Sequence, residues 1–120
     1  MIGFEEVIDR AMTGPMQSSQ DFDLRVFVPK MREVVRKYDV KYDGADPVPV
    51  DDALADRIFK AAIEFYAAVG TYCTDSERVI RFSESEILDA LAAAPSGVYL
   101  GEGKDRRRLE ARKPESSTPP

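Results

Sequence analysis

The feature that most constrains this chain is a row of apolar side chains at Leu54, Ile58, Ala61, Ala62, Phe65, Val69 and Tyr72. Their spacing of three and four residues describes one face of a long helix, with Asp56, Arg57, Lys60 and Glu64 mostly on the other side. Asp51 and Asp52 stand at its start, where carboxylates accept orphan amide hydrogens and meet the positive end of the helix dipole. Whatever the chain folds into must supply a cover for that stripe.

Two shorter helices precede it. Phe4, Val7, Ile8 and Ala11 repeat at helical spacing until Gly14-Pro15, a stop followed by a turn. Val28, Met31, Val35 and Tyr38 form a second stripe, with Pro29 placed in its first turn, where a missing N–H costs least. The lead-in FDLRVFV reads equally as a helical turn or as an extended piece, because the residue before a proline is pushed from helical geometry. Asp21 is the expected cap, MQSSQ a polar loop, and Asp39 to Val50 a connector rich in glycine, proline and aspartate.

Beyond the long stripe, Val79 to Phe82 has the β-branched and aromatic content of a short strand. Ser83-x-x-Glu86 is a capping box opening a last helix through Ile87, Leu88 and Leu91, which ends over Ala92 to Pro95. Val98 to Leu100, a Gly-Glu-Gly turn and a polar run to Leu109 predict a hairpin or an edge strand. The expected fold is mainly α with a small β element (α+β), organised as residues 1–113 followed by a disordered tail or linker over 114–120.

Composition narrows the chemistry. The 120 residues include no histidine and one cysteine, Cys73, so an internal disulfide, a multi-cysteine zinc site and a histidine base are all excluded. No apolar run approaches the roughly 20 residues that cross a bilayer, and the amino terminus is acidic and amphipathic, so a cytoplasmic location is expected. Cys73 lacks the base a nucleophilic thiol needs and reads as a partly buried structural residue. The acids Asp21, Asp23, Asp43, Asp46, Asp51 and Asp52 have no EF-hand spacing and read as caps and turns. Gly101-x-Gly103-Lys104 lacks the remaining glycine spacing and the Ser or Thr of a phosphate loop, and reads as a hairpin turn.

Lys104 to Lys113 carries a charge of +4 against −9 for the remainder of a chain of net −5. Arg106, Arg107, Arg108, Arg112 and Lys113 have no aromatic residue interleaved in sequence, and an acidic body repels phosphate, so no nucleic-acid partner is expected. A solvated strand face or a protein contact is the alternative for this tail.

The order of parts from Tyr72-Cys73-Thr74-Asp75 through the strand at Arg78 to Phe82, the helix with Glu84, Glu86 and Ile87, and Leu100-Gly101-Glu102-Gly103-Lys104-Asp105 to Arg112-Lys113 resembles a known family. Asp21-Phe22-Asp23-Leu24, Val35 to Tyr38, Val48-Pro49 and Phe59-Lys60-Ala61 extend the resemblance upstream. It is to the amino-terminal region of the corrinoid-dependent monomethylamine methyltransferases of methanogens and some bacteria. The resemblance implies a helical leader packed on a (β/α)8 barrel that is absent here, together with the family's pyrrolysine. It further implies methyl transfer from monomethylamine to the Co(I) corrinoid of a cognate protein, with that protein as partner and self-association as another. No catalytic, cofactor-binding or metal residue maps onto this chain, no cofactor is expected to be held by it, and a fragment inactive alone is expected. The alternative is a stand-alone helical interaction module, in which the chain's own helices cover the Leu54 to Tyr72 stripe entirely.

Overall fold

A computed structural model describes residues 1–113 and 115–117. Of the expected tail over 114–120, Pro114 and residues 118–120 lie outside the described residues. The architecture is α+β, as expected: five helices and two separate two-stranded antiparallel sheets among the described residues. The chain falls into two compact units, Met1–Ala90 and a second from Leu91 onward.

In the first unit, α1 (Phe4–Thr13) ends at Gly14 as its sequence predicts. The segment after it is less loose than a loop: Met16 bridges Arg78, while the amides of Gln17 and Val79 donate to the carbonyls of Glu77 and Pro15. A short helical turn, α2 (Ser19–Asp21), runs without a break into a π-helical segment (Phe22–Phe27) and then α3 (Val28–Lys37). Its cap corrects the expectation for Asp21. The Ser18 hydroxyl accepts from the Asp21 amide, and Asp21 instead pairs with Arg25 at 3.2 Å.

The ambiguous lead-in therefore resolves as helix, with a physical reason for its wide turn. In a regular α-helix the ring of Pro29 would crowd the carbonyl of Arg25, and no N–H would satisfy that carbonyl. The π segment re-spaces the chain just upstream, with the Val28 amide reaching back five residues to Asp23.

The long stripe forms α4 (Asp52–Val69), and Asp51 caps it by accepting from the Leu54 amide at 3.0 Å. The helix stops at Val69 rather than reaching Tyr72, because Gly70 turns the chain with φ 74° and ψ −157°. Here the sequence expectation of one lone strand is corrected. Thr71–Cys73 (β1) and Arg78–Ile80 (β2) pair as a tight hairpin, so Cys73 lies in a strand opposite Arg78. α5 (Glu84–Ala93) follows, opened by the expected capping box: Glu86 N–H donates to Ser83 Oγ and Ser83 N–H to Glu86 Oε2.

The core of this unit gathers Phe22, Val69 and Val79, with Val26, Phe65 and Tyr72 packed around them. The Phe22 ring stacks on Tyr72 at 5.1 Å between centroids, and Phe27 meets Phe65 edge-on at 5.2 Å. Tyr72 donates its hydroxyl proton to the Gln17 carbonyl at 2.9 Å. The stripe on α4 is only partly covered, however: Ile58 keeps 45% of its surface open.

The second unit carries β3 (Gly97–Leu100) and β4 (Arg107–Glu110), joined through a 3-10 turn at Gly103–Asp105. This is the hairpin expected from the sequence, with Val98 opposite Leu109 and Tyr99 opposite Arg108.

Gly70 is the position least able to accept a side chain, since a Cβ there would collide with the Ile80 carbonyl in a backbone region open essentially to glycine alone. Gly70→Ala should lower unfolding free energy by at least ~1–3 kcal/mol in urea titrations, whereas Gly44→Ala, where a Cβ meets open space and one ring edge, should leave the midpoint nearly unchanged.

Candidate interaction surface

The residues weighed as chemical candidates stay apart. Among the described residues no three His, Cys, Asp or Glu side chains converge to hold a metal ion. Asp43 organises its own turn, accepting from the Ala45 amide at 2.9 Å, and Asp51 is engaged as a cap. Cys73 is half-buried, and hydrogen bonds from the Ser76 hydroxyl and then the Ser76 amide hold its thiol below the ordinary pKa. Gly101 and Gly103 both take positive φ within the hairpin turn. No helix among the described residues is long and apolar enough to cross a membrane.

The basic run is not bare of aromatic company, as its sequence suggests. Cross-strand register brings Tyr99 to it, with the Arg106 guanidinium 4.3 Å and that of Arg108 5.6 Å from the ring centroid. Sequence spacing hides this, because Tyr99 is adjacent only through the ladder. The alternation leaves Val98, Leu100 and Leu109 together on the other face, all exposed.

Two ionic clamps hold the first unit. Arg10 of α1 forks onto Glu86 of α5 through two bonds of 2.7 and 3.0 Å. It also donates to Glu6 and to the Arg81 carbonyl, and lies over the Phe82 ring. Arg10 holds Glu86 near a pKa of about 2, helped by the Ser83 amide. On the other side, Glu64 of α4 accepts from Lys37 and Lys30 at 2.7 and 3.2 Å and from the Tyr38 hydroxyl at 2.8 Å. Lys37, then Tyr38, hold its carboxyl down to about 2; Glu64 in turn raises Lys37, while Lys30 is raised first by Glu33 and then by Glu64.

What remains open to partners is apolar. On α1 the outward row is Phe4, Ile8 and Met12. Between α3 and α4 lies a groove of about 240 Å³ floored by Met31, Val35, Ile58, Ala62 and Phe65. Such surfaces on a small unit mark contact faces.

A family profile for monomethylamine methyltransferase MtmB matches residues 2–120. The chain belongs to the MtmB family. The monomethylamine methyltransferases MtmB3 and MtmB1 of Methanosarcina barkeri are 34% and 33% identical to it over 104 residues, and MtmB of Methanosarcina mazei is 33% identical. Each alignment spans 87% of this chain but 22% of the relative, in the relatives' amino-terminal region. The crystal structure of M. barkeri MtmB superposes with a TM-score of 0.78 at 31% identity, covering 88% of this chain and 23% of that one. A crystal structure of an MtmB complex with hydroxylamine matches to the same extent. The chain thus has the α+β fold of the matched region of MtmB, which is about a fifth of the length of these relatives.

The clamps make a pH prediction. Both carboxyls fall to about 2 from an ordinary 4.5. An unfolded chain therefore takes up protons that the folded one refuses, and stability rises with pH through that window. The contribution is complete above about pH 4.5 and is lost as the pH falls towards 2. Urea midpoints followed by circular dichroism should drop steeply over this range, and Glu64→Gln with Glu86→Gln should be less stable at neutral pH but flatter in acid.

Proposed function

We propose that the chain serves as the amino-terminal structural region of a monomethylamine:corrinoid protein methyltransferase and catalyses nothing alone. In the complete enzyme the substrate would react as methylammonium: the methyl group would pass from nitrogen to the Co(I) corrinoid, which supplies both electrons of the new C–Co bond, while the C–N pair stays on nitrogen and leaves as ammonia. The corrinoid belongs to a cognate partner protein, and the setting is cytoplasmic. Residues 1–113 form the region. The chain's own contribution is a rigid frame, clamped by Arg10–Glu86 and Glu64, that presents apolar faces to the rest of the enzyme.

The observation that carries this reading is the match to MtmB at a TM-score of 0.78 and 31% identity, over only 23% of that structure. The exposed Val98, Leu100 and Leu109 face supports it, since a two-stranded hairpin is marginal in water without cover. Ile58, left open on the α4 stripe, weighs against a self-sufficient interaction module, which would bury that stripe under its own helices.

The test is complementation. The chain, the complementary remainder of an MtmB relative, and the two mixed are assayed for monomethylamine-dependent methylation of the corrinoid protein. Activity is expected only in the mixture. Turnover by the chain alone, or full turnover by the remainder with no gain on adding the chain, would overturn the reading.

A further inference from the structure

One cavity of the first unit has the composition of a small-molecule site. It lies where the end of α3, the middle of α4 and the start of α5 meet, and its volume is about 400 Å³. That is at the lower end of the roughly 300–1,000 Å³ of ligand pockets. Its walls are Phe59 and Ile63 of α4, Leu88 of α5 and the ring of Tyr38. Phe59 and Leu88 keep 53% and 43% of their surfaces open, so the apolar lining is accessible.

Three charged side chains complete the lining, and two of them are uncommitted. Glu64 already accepts from Lys30, Lys37 and the Tyr38 hydroxyl, so its charge is balanced within the fold. Lys60 of α4 and Glu84 of α5 are exposed, and among the described residues neither side chain has an ion pair or a hydrogen bond. The Glu84 carboxylate is near enough to Tyr38 to add, after the bond to Glu64 and burial, to the rise of the phenol's pKa. Lys60 and Glu84 thus face one cavity without pairing with each other, a cation and an anion across an apolar wall.

Those charges select a ligand. A simple anion would meet Glu84, a simple cation would meet Lys60, and a neutral apolar molecule would strip water from both and give nothing back. A molecule with one carboxylate, one ammonium and an apolar body satisfies all three surfaces at once. Its own charged groups stand between the two side chains, which bridges residues too far apart to pair directly.

We infer that this cavity binds a free α-amino acid with an apolar side chain, held as its zwitterion. Lys60 donates to the carboxylate, Glu84 accepts from the ammonium, and the ligand's side chain packs on Phe59, Ile63 and Leu88. Both charged residues sit at an exposed rim, so binding is weak and screened by salt. The inference stands on the first unit alone and does not rest on the methyltransferase reading. Complementation reports turnover and a ligand titration reports occupancy of this cavity, so either can fail without the other.

The test is a titration of the isotope-labelled 120-residue chain with L-leucine, followed by amide chemical shifts in two-dimensional NMR. Saturable shifts should centre on Phe59, Lys60, Ile63, Glu84 and Leu88. Leucinamide, which lacks the carboxylate, and N-acetyl-leucine, which lacks the ammonium, should each bind roughly tenfold or more weakly than leucine. Glycine, with both charges and no side chain, should also bind roughly tenfold more weakly. Lys60→Met should bring leucine down to the level of leucinamide while binding leucinamide no less well than wild type does. Glu84→Gln should bring leucine down to the level of N-acetyl-leucine while binding that analogue no less well. Both positions are exposed, so both proteins should keep the wild-type circular dichroism spectrum. Absence of saturable shifts with leucine, analogues that bind as tightly as leucine, or variants that leave the preference for leucine intact would each overturn the inference.

Discussion

The stacking of Phe22 on Tyr72, with Val69 and Val79 closing around the two rings, is the contact from which the first unit is organised. It joins the π segment, the end of α4 and both strands of the β1–β2 hairpin. Each arrives by a sharp backbone device: the π turn before Pro29 and the glycine turn after Val69. Had α4 continued through Tyr72, the tyrosine ring would sit about three residues, or ~4.5 Å, further along the helix axis, and Phe22 would lose its neighbour.

So small an apolar centre cannot hold five helices by burial alone, and the polar clamps follow from that shortage. Arg10 is positioned at the capping box of α5, so a single guanidinium joins the first helix to the start of the last. Glu64 does the same between α3 and α4, gathering three donors from α3 and its carboxy-terminal end. The same limited burial leaves Phe4, Ile58 and the Leu109 face uncovered. The region matched to about a fifth of these relatives thus combines a stabilised frame with open apolar faces.

The helices were legible because their signals are local: the apolar stripes, the Ser83–Glu86 box, Asp51 before α4, and Gly14 after α1 all act within a turn or two of backbone. The β1–β2 hairpin was not, since three-residue strands leave too short an alternation to show a period of two, and Tyr72 fitted the helical stripe equally well. Tyr99 was overlooked beside the arginines for a related reason: its approach is set by the register of β3 on β4.

The sequence by itself determined the helical class, the long α4, the capping of α4 and α5, the absence of histidine chemistry and, through collinear residues, the likeness to the MtmB family. Only the tertiary structure decided where α4 stops, what Phe22 packs on, which carboxylates are clamped, and which apolar faces stay open. The division is physical. Helix formation and capping depend on neighbours along the chain, whereas burial, ion pairing and strand register depend on side chains dozens of residues apart, whose distances exist only once the chain has closed on itself.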